Sequence, residues 1–155
     1  LWGTNKISPP QEHFVSNLIR QKIISATETL PLPLKSAPTI VLFLLEGEDH
    51  ELGLLLSSYM AKDAGWNVIY LGQRMPSENI KEVVLQTKAS VLLTMLTTPR
   101  SDNFIETLQF ISTETNATIL YSGNPSFIEA IATKTNFKYL PSPDAFLHFL
   151  KHFAS

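Results

Sequence analysis

From Thr39 onward the chain alternates short apolar runs with longer amphipathic ones, and this alternation restricts the fold more than any other feature. The short runs, 39–45, 67–71, 90–96, 118–121 and 137–140, are rich in β-branched and aromatic residues and read as strands. The segments 52–64, 76–87, 101–113, 125–135 and 143–153 read as helices. Strands this short and this apolar favour burial on both faces, which a parallel sheet achieves with helices on either side. The punctuation agrees: Gly65 offers a left-handed stop after the first of these helices, and Asn124 and Ser142 stand as N-caps before Pro125 and Pro143.

Five such units within 38–155 predict an α/β, flavodoxin-like (Rossmann-like) five-stranded parallel sheet of order 2-1-3-4-5. Its ligand crevice opens at the strand C-terminal ends where the order reverses, so the loops after the first and third strands are expected to carry function. Residues 1–37 differ. Within 12–29, Phe14, Leu18, Ile19 and Ile23, continued by Leu30, trace a helical stripe that ends in a proline-rich linker. One helix cannot bury such a stripe alone, so this region is expected to be the C-terminal part of a helical cap bundle plus linker. The opening at Leu1 rather than Met fits a piece of a longer polypeptide.

Composition removes several functions. With 44% hydrophobic residues in 155, the chain can bury a single substantial core. The absence of Cys removes disulfides, thiolate zinc sites and Cys nucleophiles, and gives no sign of an oxidising compartment. A net charge of -2 argues against a dedicated nucleic-acid surface. The longest apolar run, 40–45, is far short of the ~20 residues that cross a bilayer, and no signal-peptide pattern is present, so a cytoplasmic chain without a membrane partner is expected. Neither Gly-x-Gly-x-x-Gly nor a Walker pattern occurs. A phosphorylated receiver domain is excluded because the third strand ends in residues 94–98 without an Asp, and the fifth in Tyr139-Leu140-Pro141 without a Lys.

The loop after the first strand reads Glu46-Gly47-Glu48-Asp49-His50-Glu51-Leu52-Gly53, placing four acids and a His at the expected ligand edge. A neutral imidazole there can ligate a metal while Glu48 accepts its other N–H. Taken alone, such a loop is usually a solvated acidic turn with a surface His. Two further groups stand at regular distances downstream, Thr94-Met95-Leu96 at the third strand and Gly123-Asn124 after the fourth.

This set, Glu48-x-His50-x-x-Gly53 with Thr94-x-Leu96 and Gly123-Asn124, resembles the Asp-x-His-x-x-Gly, Ser-x-Leu and Gly-Gly motifs of cobalamin-binding domains. The resemblance implies that His50 is the lower axial ligand of cobalt and therefore the metal ligand. It also implies that the cofactor's detached nucleotide tail passes Gly53, a hydroxyl at Thr94 and the backbone at Gly123. Glu48, Thr94 and Asn124 depart from that family's Asp, Ser and Gly.

At the amino terminus, Trp2 followed after nine residues by Glu12-His13 is similar to a signature of the light-sensing, cobalamin-dependent MerR-type transcriptional regulators of the CarH and LitR group. By that resemblance Trp2, Glu12 and His13 surround the upper axial group; read alone, they are also a bundle-core Trp and a helix start, with Glu suited to the positive end. Those light sensors carry a cobalt-capturing His after the Trp, where this chain has Gly3, which cannot ligate.

The resemblance implies a non-enzymatic corrinoid sensor and photoreceptor loaded with adenosylcobalamin, or the methyl or hydroxo form. It further implies a homo-oligomer, dimer or tetramer, that contacts DNA through a separate upstream domain. Alternatives are a corrinoid carrier module of a methyltransferase or mutase, and a cofactor-independent regulatory domain of the same fold. Elsewhere, Asp144, His148 and His152 share one helix face and fit a surface metal or simply a solvated face, while Arg74 and Arg100 follow strands and could meet a phosphate.

Overall fold

The computed structural model describes residues 8–97, 103–124 and 137–153. Trp2, Gly3, Arg100 and the expected helix 125–135 lie outside the described residues. The elements are α1 (Pro9–Glu28), β1 (Thr39–Leu45), α2 (Leu52–Asp63), β2 (Asn67–Met75), α3 (Ser77–Thr87), β3 (Val91–Leu96), α4 (Asn103–Thr115), β4 (Thr118–Gly123), β5 (Phe137–Tyr139) and α5 (Pro143–His152). The strands are parallel in the order β2-β1-β3-β4-β5, the one expected.

Strand alternation divides the interior into two cores. Val41, Phe43, Leu45, Leu92, Leu96, Ile119 and Tyr121 face α3 and α4, where they meet Ile80, Leu108 and Ile111. Ile40, Leu42, Leu44, Leu93 and Leu120 face α2 and α5, where they meet Leu54, Phe146 and Leu150. Burial on both faces of β1 and β3 explains why these strands are continuous apolar runs. Trp66 locks the second core, its Nε1–H donating to the Leu150 carbonyl at 3.2 Å.

The end of α2 follows from Gly65, which takes φ +83°. Its N–H donates to the Lys62 carbonyl and that of Trp66 to the Ala61 carbonyl, the paired bonds of a Schellman motif. Ser142 caps α5 as expected, its Oγ accepting from the Ala145 N–H at 3.2 Å. Pro76 stands just before α3 rather than in its first turn.

β2 runs on to Met75, past the expected end at 71. Its pairing with β1 slips between Leu42 and Leu45, and Gly72 and Arg74 adopt φ of +77° and +57°. This irregularity keeps the strand attached while directing Gln73 and Arg74 to the loop after β1.

α1 lies along α2. Phe14 is 66% and Leu18 43% exposed, so the stripe read from the sequence remains largely open to solvent in this chain. A salt bridge from Arg20 Nε to Glu51 Oε2, 3.1 Å, ties α1 to the start of α2.

Candidate functional site

The loop after β1 turns at Gly47, where φ is +84°, and sends Glu48 back under the sheet edge. The Glu48 side chain is fully buried. Its Oε1 accepts from His50 Nδ1 at 2.7 Å, from the His50 N–H at 3.2 Å and from Thr97 Oγ1 at 2.7 Å. Its Oε2 accepts from the Thr97 N–H at 2.8 Å. Thr97 Oγ1 also stands 2.9 Å from His50 Nδ1. A carboxylate held by this many donors fixes the imidazole ring, and with the proton on Nδ1 the lone pair of the neutral ring belongs to Nε2.

The neighbouring acids are spoken for separately. Asp49 grips Arg74 through two bonds, Nε to Oδ1 at 2.9 Å and an Nη to Oδ2 at 3.1 Å. The hydrogen-bonded Arg74 guanidinium holds the Asp49 carboxyl below the usual carboxylate range. Arg74 is thus engaged by the loop itself. Glu51 accepts from the Tyr70 hydroxyl at 2.8 Å and from Arg20. Burial, then the Glu51 hydrogen bond, push the Tyr70 phenol above its ordinary range. Glu46 is exposed. What reads in sequence as an acidic cluster is therefore dispersed onto partners from α1, β2 and the β3 end.

His50 is 69% exposed at its side chain and lines a cleft of about 700 Å³. Glu12, His13, Ser16, Asn17 and Arg20 of α1 form one wall, and Gly53, Gln73, Met95 and Thr97 lie on the domain side. The structure thus brings Glu12 and His13 to the same cleft as His50. A smaller cavity of about 150 Å³ lies between α2, α5 and the α2-facing side of β3 and β4, and shares Gly53 and Met95 with the cleft. A Cβ on Gly53 would meet only Met95 at 3.6–3.8 Å. Glycine inside a helix is destabilising by about 1 kcal/mol relative to Ala, yet nothing packed around this one excludes a side chain. The position reads as space kept open between two cavities.

The remaining expected site residues are arranged otherwise. Thr94 is fully buried and pairs in register with Tyr121, which places it on the α3/α4 face, across the sheet from the smaller cavity. Its hydroxyl has no hydrogen-bond partner among the described residues. Leu96 belongs to the same core. Gly123 has φ +128°, and a Cβ there would collide with the Leu96 carbonyl oxygen, so glycine is demanded by the close approach of β4 to β3. The Asn124 N–H donates to that same oxygen at 2.9 Å. These residues lie at the ends of β3 and β4, and none of them is among the residues that line the cleft or the smaller cavity.

Among the described residues, no group of three or more His, Asp or Glu side chains is disposed to hold a metal ion. His148 and His152 instead stack at 4.1 Å, with His152 Nδ1 2.8 Å from the His148 carbonyl. Sequence reasoning missed Thr97 and Met95, and on the rim Ser16, Asn17, Arg20 and Gln73. The signal for Thr97 was the strand order, which sets the residue after β3 beside the loop after β1.

No family model matches the chain. Over 108 residues it is 29% identical to the HTH-type transcriptional repressor CarH of Myxococcus xanthus, covering 69% of this chain and 36% of that protein. Over 87 residues it is 30% identical to the HTH-type transcriptional repressor CarA of the same organism, covering 56% and 30%. The chain spans about a third of the length of these curated relatives. Among solved structures, the monomethylamine corrinoid protein of Methanosarcina barkeri is similar in fold, with TM-score 0.68 at 17% identity, covering 90% of this chain and 66% of that one. No helix among the described residues is long and apolar enough to cross a membrane.

Proposed function

We propose that this chain is a cobalamin-binding regulatory domain of a MerR-type transcriptional regulator, with His50 as the lower axial ligand of cobalt. The observation that carries the reading is the buried Glu48 carboxylate holding Nδ1 of an imidazole that lines the 700 Å³ cleft. That pairing orients the imidazole so that its other nitrogen is presented to a metal. The cleft lies within the roughly 300–1,000 Å³ typical of small-molecule sites. The unfilled position at Gly53 fits a group passing from cleft to inner cavity. The likeness to two transcriptional repressors and the fold held in common with a corrinoid protein support the same reading.

In this reading Glu48 and Thr97 set the ring of His50, Gly53 leaves room for the nucleotide tail, and Glu12 and His13 border the upper face. Thr94, Leu96, Gly123 and Asn124 serve by holding the ends of β3 and β4, not by reaching the tail. A bound corrinoid with an alkyl upper ligand supplies a cobalt–carbon bond that light can break. The domain itself is a sensor rather than an enzyme, and adenosylcobalamin is the form it takes. Occupancy alters the assembly of a dimer or tetramer in the cytoplasm and so the grip of a separate upstream domain on DNA.

The test is an absorption spectrum after dark incubation with adenosylcobalamin and gel filtration, repeated after green light. Wild type and His148→Ala retain light-sensitive colour; His50→Ala loses it or carries a shifted spectrum. Equal retention and identical spectra for wild type and His50→Ala contradict the ligand assignment.

A further inference from the structure

The cleft under α1 and the inner cavity of about 150 Å³ meet at one flexible side chain. Met95 lines both, and its Cε and Sδ lie 3.6 and 3.8 Å from where a Gly53 Cβ would stand, so the thioether borders the space that the glycine leaves open. The inner cavity is largely apolar, walled by Leu56, Met60, Leu93, Leu140 and Phe146. The hydroxyls of Ser57 and Ser122 are turned to the Gly53 and Leu140 carbonyls. Such a slot suits a flat aromatic group, but its volume is below the roughly 300 Å³ at which small-molecule sites begin. Its walls differ in freedom. Leu93 and Phe146 are core residues and Ser142 is fixed as a helix cap, whereas Met60 and Met95 are unbranched with three rotatable bonds, and of these two Met95 also lines the cleft, beside Gly53.

We propose that Met95 is the gate between the two cavities and sets the preference for tail-bearing over tail-less corrinoids. In the cofactor-free chain its side chain stands between the cleft and the inner cavity beside Gly53; turned aside, it admits the nucleotide tail. The inference rests on the cobalamin reading above and adds the residue that decides which corrinoid is held. A closed gate reduces apparent affinity by the fraction of molecules in which it is open, a reduction that a ligand without a tail does not suffer.

The test titrates the full chain with hydroxocobalamin and with cobinamide, which keeps the corrin ring but lacks the nucleotide. Because Met95 also lines the cleft, the readout is the ratio of the two affinities: with the open form a minor population, Met95→Ala raises the cobalamin-to-cobinamide ratio about tenfold. Met95→Phe, bulkier and stiffer, lowers that ratio, and an unchanged far-ultraviolet circular dichroism spectrum reports that each variant is folded. If the ratio of the two affinities stays at its wild-type value in both variants, the gate is overturned while the cobalamin reading stands. If the wild-type chain binds neither corrinoid, both are overturned.

Discussion

The loop after β1 and the ends of β3 and β4 carry motif residues at equally regular spacings, yet the structure treats them differently. His50 and Gly53 line one cleft, and the buried Glu48 holds the His50 ring at its edge. Thr94, Leu96 and Gly123 turn to the opposite core or lock two strand ends together. The difference lies in alternation: within a strand, a shift of one residue moves a side chain to the other face of the sheet. Spacing along the chain fixes how far up β3 a residue stands, and parity fixes which cavity it reaches. On β3 that parity gives the inner cavity to Leu93 and Met95.

The comparison can be broken first at Gly123. Gly123→Ala drives a Cβ into the Leu96 carbonyl at a positive φ, and should destabilise the cofactor-free protein by at least about 3 kcal/mol in urea denaturation. An unchanged transition would return Gly123 to a role in ligand contact. Glu48→Ala comes next. It leaves the N–H groups of Thr97 and His50 without their carboxylate, at a cost of about 2–3 kcal/mol, and should weaken corrinoid binding roughly 10–100-fold. Binding at wild-type strength in a folded Glu48→Ala protein would remove the carboxylate from the site.

Thr94→Val sharpens the contrast from the other side. Replacing a buried hydroxyl that lacks a partner should raise stability by about 1 kcal/mol and leave corrinoid affinity alone. A loss of affinity would instead place Thr94 at the tail. The smallest effect is expected at Asp49. Its carboxyl titrates below the usual range in the folded chain, so its pairing with Arg74 contributes fully above the ordinary Asp pKa and fades as pH falls through the depressed one. Both groups are exposed, so the contribution is slight. Carboxyl-carbon NMR should show the Asp49 midpoint rising toward the ordinary value in Arg74→Gln; an unmoved midpoint would mean that the pair does not persist in solution.

Most of the frame was legible in the sequence because it is local. The strand order followed from five βα units, the end of α2 from Gly65 and the cap of α5 from Ser142. The site was legible as far as Glu48, His50 and Gly53, whose spacing within one loop already sets them near each other. Thr97 was legible only as a position, the residue after β3 that the expected strand order sets beside the loop after β1; that its N–H and hydroxyl turn to Glu48 is side-chain and loop geometry that spacing does not carry. The extension of β2 escaped for the same reason: its irregularity brings Arg74 to Asp49, a partner far away in the chain. The acids of the loop looked alike, and only the partners supplied by α1, β2 and the β3 end distinguish them.

In the proposed function the imidazole of His50, held by Glu48, is a ligand of cobalt. Electron paramagnetic resonance of the cobalt(II) form, bound to protein labelled with nitrogen-15 at histidine, reports that bond. The nitrogen splitting is expected to change from triplets in unlabelled protein to doublets in labelled protein, and His50→Ala to abolish the change. Triplets that persist in the labelled protein would leave the cofactor's own base on cobalt and His50 off it.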